Sequence, residues 1–176
     1  LEDGLGQEVA RRVLPDVAGV GGQVEELVAA AEDDLDLLHL APVARETAYR
    51  YWSGILAALG EGLLLWVVES NGQVVGSVQL ALCEKENGRH RAEVQKLFVL
   101  TPARGLGISS RLMQAAEAAA RSHQRALLVL DTLLGSHAEY VYRHLGWHRA
   151  GEIPDFAAAP DGELFPTVYY FKRLEP

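Results

Sequence analysis

VQKLFVLTPARGLGISSRLMQAAEAAAR, residues 94–121, decides how this chain folds. Val94 to Leu100 is apolar enough for a buried strand, and Pro102, which has no N–H to give a ladder, should end it. Ile108, Leu112, Ala116, Ala119 and Ala120 then recur at helical spacing, with Arg111, Gln114, Glu117 and Arg121 on the opposite face. Strand and helix are joined by Arg104-Gly105-Leu106-Gly107-Ile108-Ser109. Two glycines let the backbone turn sharply into a helix whose first N–H groups lack partners. Those groups, with the positive end of the helix dipole, suit a phosphate. Arg104 adds a permanent charge with several donors.

Three readings of the loop compete. It is a plain strand-to-helix turn, a dinucleotide site or an acyl-coenzyme A site. For the dinucleotide site, Ser110 stands where a third glycine belongs and Asp131 near the position of a ribose-binding acid. Thr101 to Arg104 intervene, however, where a dinucleotide fold has its glycines directly after the strand. A kinase-type phosphate loop is excluded, because no Gly-Lys-Ser/Thr follows.

Outward from this stretch, Leu63–Glu69 reads as a continuous apolar strand and Gln73–Cys83 as its partner across an Asn71-Gly72 hairpin turn. Asn87-Gly88 marks a second turn, and Arg91 begins the central strand. After the helix come a short buried strand, Ala126–Asp131, and a helix, Ser136–Leu145, closed by Gly146. Trp147–Ile153 and Thr167–Leu174 read as final strands around a loop carrying Pro154, Pro160, Asp161-Gly162 and Pro166. Upstream, Val9–Val13 reads as a first strand and Gly19–Gly22 as a break. Gln23–Ala31 reads as a short helix, Glu32–Asp36 as an acidic surface run, and Val43–Leu59 as a helix opened by Pro42. The strand–helix–strand unit should be parallel.

The chain has 176 residues, 49% of them apolar, and a net charge of −8. Those values fit one globular domain and argue against nucleic acid as a partner. No apolar run is long enough to span a bilayer, and no leader is expected. Leu1 is not an initiator methionine, so native residues are expected before it. The single cysteine, Cys83, rules out an internal disulfide, reads as structural and suits a reducing cytoplasm. His90, His137 and His144 lack metal-ligand spacing, so no metal is expected.

Val99–Ile108, VLTPARGLGI, resembles the coenzyme A motif of the GNAT superfamily of N-acetyltransferases, whose core is Gln/Arg-x-x-Gly-x-Gly/Ala. Arg104, Gly107 and the spacing match, while Ser109 departs at the last position. GLLLWVVE, AEVQKLFVL, LLVLDT, the Tyr142 segment and the Pro-Asp-Gly tail carry the likeness over residues 60–174. Together they resemble the tabtoxin-resistance branch of that superfamily. The resemblance implies an α/β (α+β) acyl-CoA N-acyltransferase fold, a mixed sheet of about seven strands flanked by about four helices. It implies acetyl-CoA as cosubstrate, with a homodimer as the family's habit. Two parallel strands would splay apart to admit the pantetheine arm against the backbone of Leu97, Phe98 and Val99. Arg104, Gly105, Leu106, Gly107, Ile108, Ser109 and Ser110 would hold the diphosphate, and Ser136 would cap its helix or touch the arm. Tyr142 would protonate the leaving thiolate.

The residues also suggest a base. An amine of pKa ~10 is neutral about once in a thousand at pH 7, a penalty near 4 kcal/mol, so a positioned acceptor of its proton matters. Glu93 begins the central strand and Asp131 ends the next, both acids in apolar surroundings whose burial would raise their pKa. Ion pairing of Glu93 with Arg91 or Lys96, and a loop-capping Asp131, are the structural alternatives. The leading expectation is an acetyl-CoA-dependent N-acetyltransferase acting on a small amine, an amino-acid-like toxin or antibiotic in particular. A non-catalytic acyl-CoA-binding module and a dinucleotide oxidoreductase are the alternatives.

Overall fold

The computed structural model describes residues 10–13, 25, 27–29, 45–159 and 161–175. The glycine break at Gly19–Gly22, the acidic run Glu32–Asp36, Pro42 and Pro160 lie outside the described residues. In chain order come β1 (Ala10–Val13), α1 (Arg45–Ala58), β2 (Leu63–Ser70), β3 (Gln73–Leu82), β4 (Arg91–Val99), α2 (Ile108–Ser122), β5 (Leu127–Leu133), α3 (His137–His144), β6 (His148–Ala158) and β7 (Leu164–Arg173). Residues 25 and 27–29 are also helical. Among the described residues, seven strands form one sheet in the order β1-β2-β3-β4-β5-β7-β6. Only β4 and β5 pair in parallel among the described residues. The mixed sheet flanked by helices is the expected class.

Alternation along the strands divides the core in two. On one side Trp66, Val68, Val78 and Leu80 meet Ile108, Leu112, Met113 and Ala116 of α2. On the other, Leu65, Val67, Val74 and Phe98 meet Ala48, Trp52 and Leu56 of α1 together with Leu27 and Val28. At the β2–β3 turn Asn71 and Gly72 have φ of 54° and 74°. Positive φ at both central residues is the turn whose twist matches a hairpin.

Two features of β4 place the site. Its pairing with β5 covers Arg91, Ala92 and Glu93 and stops there, while β4 continues to Val99 and β5 to Leu133. The two parallel strands therefore part, and from Val94 onward the edge of β4 toward β5 carries no ladder. A bulge also interrupts β4. Gln95 faces Gln79 and Phe98 faces Ser77, so Lys96 and Leu97 together oppose Val78 alone. The imperfect alternation of Glu93–Leu100 has this cause.

Three strand limits differ from the sequence reading. β5 runs two residues past Asp131, so that acid is not its terminus. β6 runs through Pro154, and β7 through Pro166. β6 is an edge strand and Pro154 has no register partner in β7, so its missing N–H breaks no ladder bond there. Its register shift between Ile153 and Ala157 spans Pro154 to Phe156, with Asp155 at φ 54°, opposite Pro166. The shared irregularity lets both prolines sit inside a hairpin.

Candidate active site

The parting of β4 and β5 opens a cleft of about 550 Å³. Its walls come from the unpaired edge of β4, the loop into α2, the end of β5, the start of α3 and one face of α1. Glu93, Leu97, Phe98, Val99, Arg104, Gly105, Gly107, Ile108, Ser109, Asp131, Ser136 and Tyr142 all line it. Of the expected residues, Leu106 and Ser110 alone do not, and Leu106 is 50% exposed.

At one end lies the glycine loop. A single turn of 3-10 helix, Thr101–Ala103, leads out of β4. Gly105 and Gly107 then take φ of 80° and 73°, which side chains with a Cβ rarely adopt. Gly107 is the N-cap of α2 and supplies no side-chain cap. The first bond inside the helix runs from the Arg111 N–H to the Gly107 carbonyl, 3.2 Å. The preceding amides thus lack helical acceptors at the cleft's edge. Arg104 does not reach across the loop with its Nε, which donates to the Val99 carbonyl at 3.0 Å and ties the loop to the end of β4.

The two acids sit less deeply than expected. Asp131 is exposed, because its strand leaves β4 two residues earlier and opens that face to the cleft. Its Oδ2 lies 2.9 Å from the Thr167 hydroxyl, which also lies 2.8 Å from the Thr132 carbonyl and shares its proton between them. Glu93 is half-buried, and its Oε1 accepts from Gln95 Nε2 at 3.0 Å. The ion pairs considered for it do not form. Arg91 points instead to the Cys83 sulfur, and Lys96 sits with its ammonium 5.5 Å from the centre of the Tyr51 ring.

Tyr142 is 6% exposed and packs against Trp147 and Tyr170. Burial, and next the charge of Asp131, push its phenol well above the ordinary range, so the proton stays on oxygen at neutral pH. Among the described residues its hydroxyl has no hydrogen-bond partner. Tyr140, two residues away, points out and stacks between His137 and His144.

Ser136 does not cap α3 with its side chain, though it occupies the N-cap position. Its hydroxyl lies 3.3 Å from that of Thr132. Glu139 takes over: Oε1 accepts from the Gly135 amide at 2.7 Å and Oε2 from the Tyr170 hydroxyl at 2.5 Å. Burial alone would raise the Glu139 carboxyl. The Tyr170 hydroxyl, the Gly135 amide and the charges of Arg143 and Arg149 outweigh it and hold the group below the usual carboxylate range.

The sequence reading missed Tyr51, Ile55, Gln95 and Lys96, which also line the cleft. Tyr51 and Ile55 lie one helical turn apart on α1, a spacing visible in the sequence but indistinguishable there from core packing. Lys96, a cation inside an apolar strand, was visible only as a partner for Glu93. Among the described residues, no three His, Cys, Asp or Glu side chains come together to hold a metal, and no helix is long and apolar enough to cross a membrane.

Comparison with known proteins shows the family and the fold. Residues 61–149 match the family model for an acetyltransferase (GNAT) domain. An uncharacterized N-acetyltransferase from the hisH–hisA intergenic region of Azospirillum brasilense is 34% identical over 116 residues, covering 62% of this chain and 68% of that protein. The fold is shared with ribosomal-protein-alanine N-acetyltransferase from Brucella melitensis, with a TM-score of 0.70 at 22% identity over 94% of this chain and all (100%) of that one. It is shared too with the Salmonella typhimurium protein yncA, solved with its cofactor acetyl-CoA, with a TM-score of 0.68 at 16% identity over 95% and 94% of the two chains. The mostly antiparallel sheet and the extra turn before the glycines are not those of a dinucleotide-binding crossover. The class is therefore an acetyltransferase. The chain belongs to the GNAT family.

Proposed function

We propose that the protein transfers the acetyl group of acetyl-CoA to an amine of a small molecule, an amino-acid-like toxin or antibiotic of the kind met by the tabtoxin-resistance branch. One observation carries the reading: β4 and β5 part below Glu93, leaving an open strand edge that leads from the glycine loop to the two acids. A phosphopantetheine thioester fits such a cleft. The amides at the start of α2 would take its diphosphate, the free edge at Leu97, Phe98 and Val99 its amide groups, and Ser136 the arm beside them. When bound, it supplies an acetyl group activated as a thioester.

The chain's own residues do the rest. Glu93 and Asp131 hold the ammonium form of the acceptor and take its proton, through water, as the N–C bond forms. Tyr142 keeps its proton until the C–S bond breaks and then gives it to the departing sulfur. The likeness over residues 60–174 and the mixture of charges around the cleft support an amino-acid-like acceptor. A cytoplasmic setting, supported by the lone thiol of Cys83, belongs to the same proposal.

The test measures acetyl-CoA-dependent thiol release across a library of amines, alongside melting shifts with acetyl-CoA and with NAD(H). Thiol release with at least one amine, and a melting shift with acetyl-CoA only, are expected. A shift without thiol release for every amine would make the protein a coenzyme-binding module instead.

A further inference from the structure

Lys96 is the least conventional residue in the cleft. It occupies the bulge of β4 with φ of 48°, a left-handed conformation that residues with a side chain seldom take. The fully buried Ser77 pins it there, its hydroxyl donating to the Lys96 carbonyl at 3.3 Å. An ordinary β4 would alternate without this step. The bulge re-aims one side chain, and the side chain it re-aims is a cation.

The ammonium lies by the face of Tyr51, whose hydroxyl receives Gln79 Nε2 at 3.4 Å. No carboxylate comes within ion-pair distance of Lys96 among the described residues. A strand, a bulge and a helix thus hold a half-buried positive charge at the wall of the cleft, where the charge of Asp131 acts on it from beyond ion-pair contact. The same cleft holds Glu93 and Asp131, suited to a positive charge.

Resting on the acetyl-transfer reading, we propose that Lys96 is the specificity residue for the acceptor and binds a carboxylate carried beside the amine that is acetylated. The acceptor class is an amino acid or an amino-acid-like acid, its ammonium toward Glu93 and Asp131 and its carboxylate toward Lys96. The diphosphate of the coenzyme is the other anion at hand, but it is met by the amides of the glycine loop, beyond the end of β4. Burial lowers the Lys96 pKa and the charge of Asp131 opposes that change; a bound carboxylate would oppose it further.

The experiment follows thiol release at saturating acetyl-CoA for the twenty L-amino acids, the methyl ester of each and the decarboxylated amine of each. For the acetylated acids, the wild-type protein is expected to favour acid over ester and over decarboxylated amine by at least tenfold in kcat/KM, with most of the difference in KM. Lys96→Met lowers the acid to the level of its ester, Lys96→Arg retains part of the preference, and neither changes the KM for acetyl-CoA. Equal or better use of the esters or decarboxylated amines overturns the inference, as does a Lys96→Met effect confined to the KM for acetyl-CoA. The acid–ester comparison uses the wild-type protein and stands even if Lys96→Met does not fold. Thiol release that ignores the carboxylate sinks this inference alone; no thiol release with any amine sinks the acetyl-transfer reading as well.

Discussion

Glu93 stands opposite Val129 on the last rung of the parallel ladder, and one residue further on the two strands are apart. The carboxylate is thereby fixed at the apex of the cleft by backbone pairing on both sides, to Ala81 of β3 as well as to Val129. Asp131 lies two residues past the rung on the diverging strand. Glu93→Gln and Asp131→Asn are each expected to lower kcat, the more important of the two by about 10²- to 10⁴-fold at neutral pH. Acetyl-CoA affinity, read by titration calorimetry, should change little. Wild-type turnover in both variants across the pH range would remove these side chains from the mechanism.

Tyr142→Phe separates chemistry from packing. The ring supports Trp147 and Tyr170, but the hydroxyl bonds no described residue, so the variant should melt within a few degrees of wild type. If the phenol protonates the departing sulfur, kcat should fall by about 10²-fold or more. The loss should shrink for acyl donors with a more acidic thiol, which need less help in leaving.

Gly107 tests the loop. Its φ of 73° disfavours any Cβ, although one placed there would meet nothing within 4 Å. Gly107→Ala should therefore cost about 1–2 kcal/mol of stability through the backbone, without a clash. On the proposed reading, the same Cβ would crowd a diphosphate held by the amides at the start of α2. The melting shift produced by acetyl-CoA should drop well below that of wild type. An undiminished shift would place the diphosphate elsewhere.

The local features of this fold were legible, and so were the mixed sheet and the parallel pairing of β4 with β5; the exposure and direction of particular side chains were not. Asn71-Gly72 announces its own turn, and Gly105 and Gly107 announce theirs, because positive φ is a property of single residues. Even the bulge in β4 left a trace in broken alternation. Asp131, by contrast, looks buried in a run of leucines and valines, and only the departure of β4 exposes it. Pro154 and Pro166 look like loop residues until they are seen to share one irregularity across a hairpin. Lys96 could be read as a partner for Glu93 because sequence spacing does not register a side chain turned by a left-handed residue.

Tyr170 and Glu139 make a buried pair that stabilises the fold beneath the site. Tyr170→Phe would leave Glu139 Oε2 without its donor, at a cost of about 1.5–3 kcal/mol. For a domain of this size that lowers the melting temperature by roughly 2–4 °C per kcal/mol. The Glu139 carboxyl titrates lower in the folded chain than in the unfolded one. Its stabilising effect is thus full above the ordinary carboxylate pKa and is lost as pH falls through the folded value. The wild-type advantage over Tyr170→Phe should accordingly be largest near neutral pH and narrow in acid. A constant difference down to the acid limit would mean that the ionised carboxylate is not what the hydroxyl stabilises.

Lys96 predicts the opposite sign. Its burial disfavours the ammonium, so the folded chain gives up that proton at a lower pH than the unfolded chain does. Between the folded value and the ordinary lysine pKa the unfolded state binds more protons, and stability contributed by this group rises with pH. Below that window both states are charged and the folded one carries the full penalty. Lys96→Met keeps the apolar stem and removes the charge. In the absence of ligands it should therefore melt above wild type at neutral pH, and the gap should close in alkali. Met also keeps the backbone at φ 48° and its strain, so a gain in melting temperature reports relief of the buried charge alone. If Lys96→Met melts below wild type at neutral pH, the ammonium has a stabilising partner in the folded chain and is not waiting for an acid.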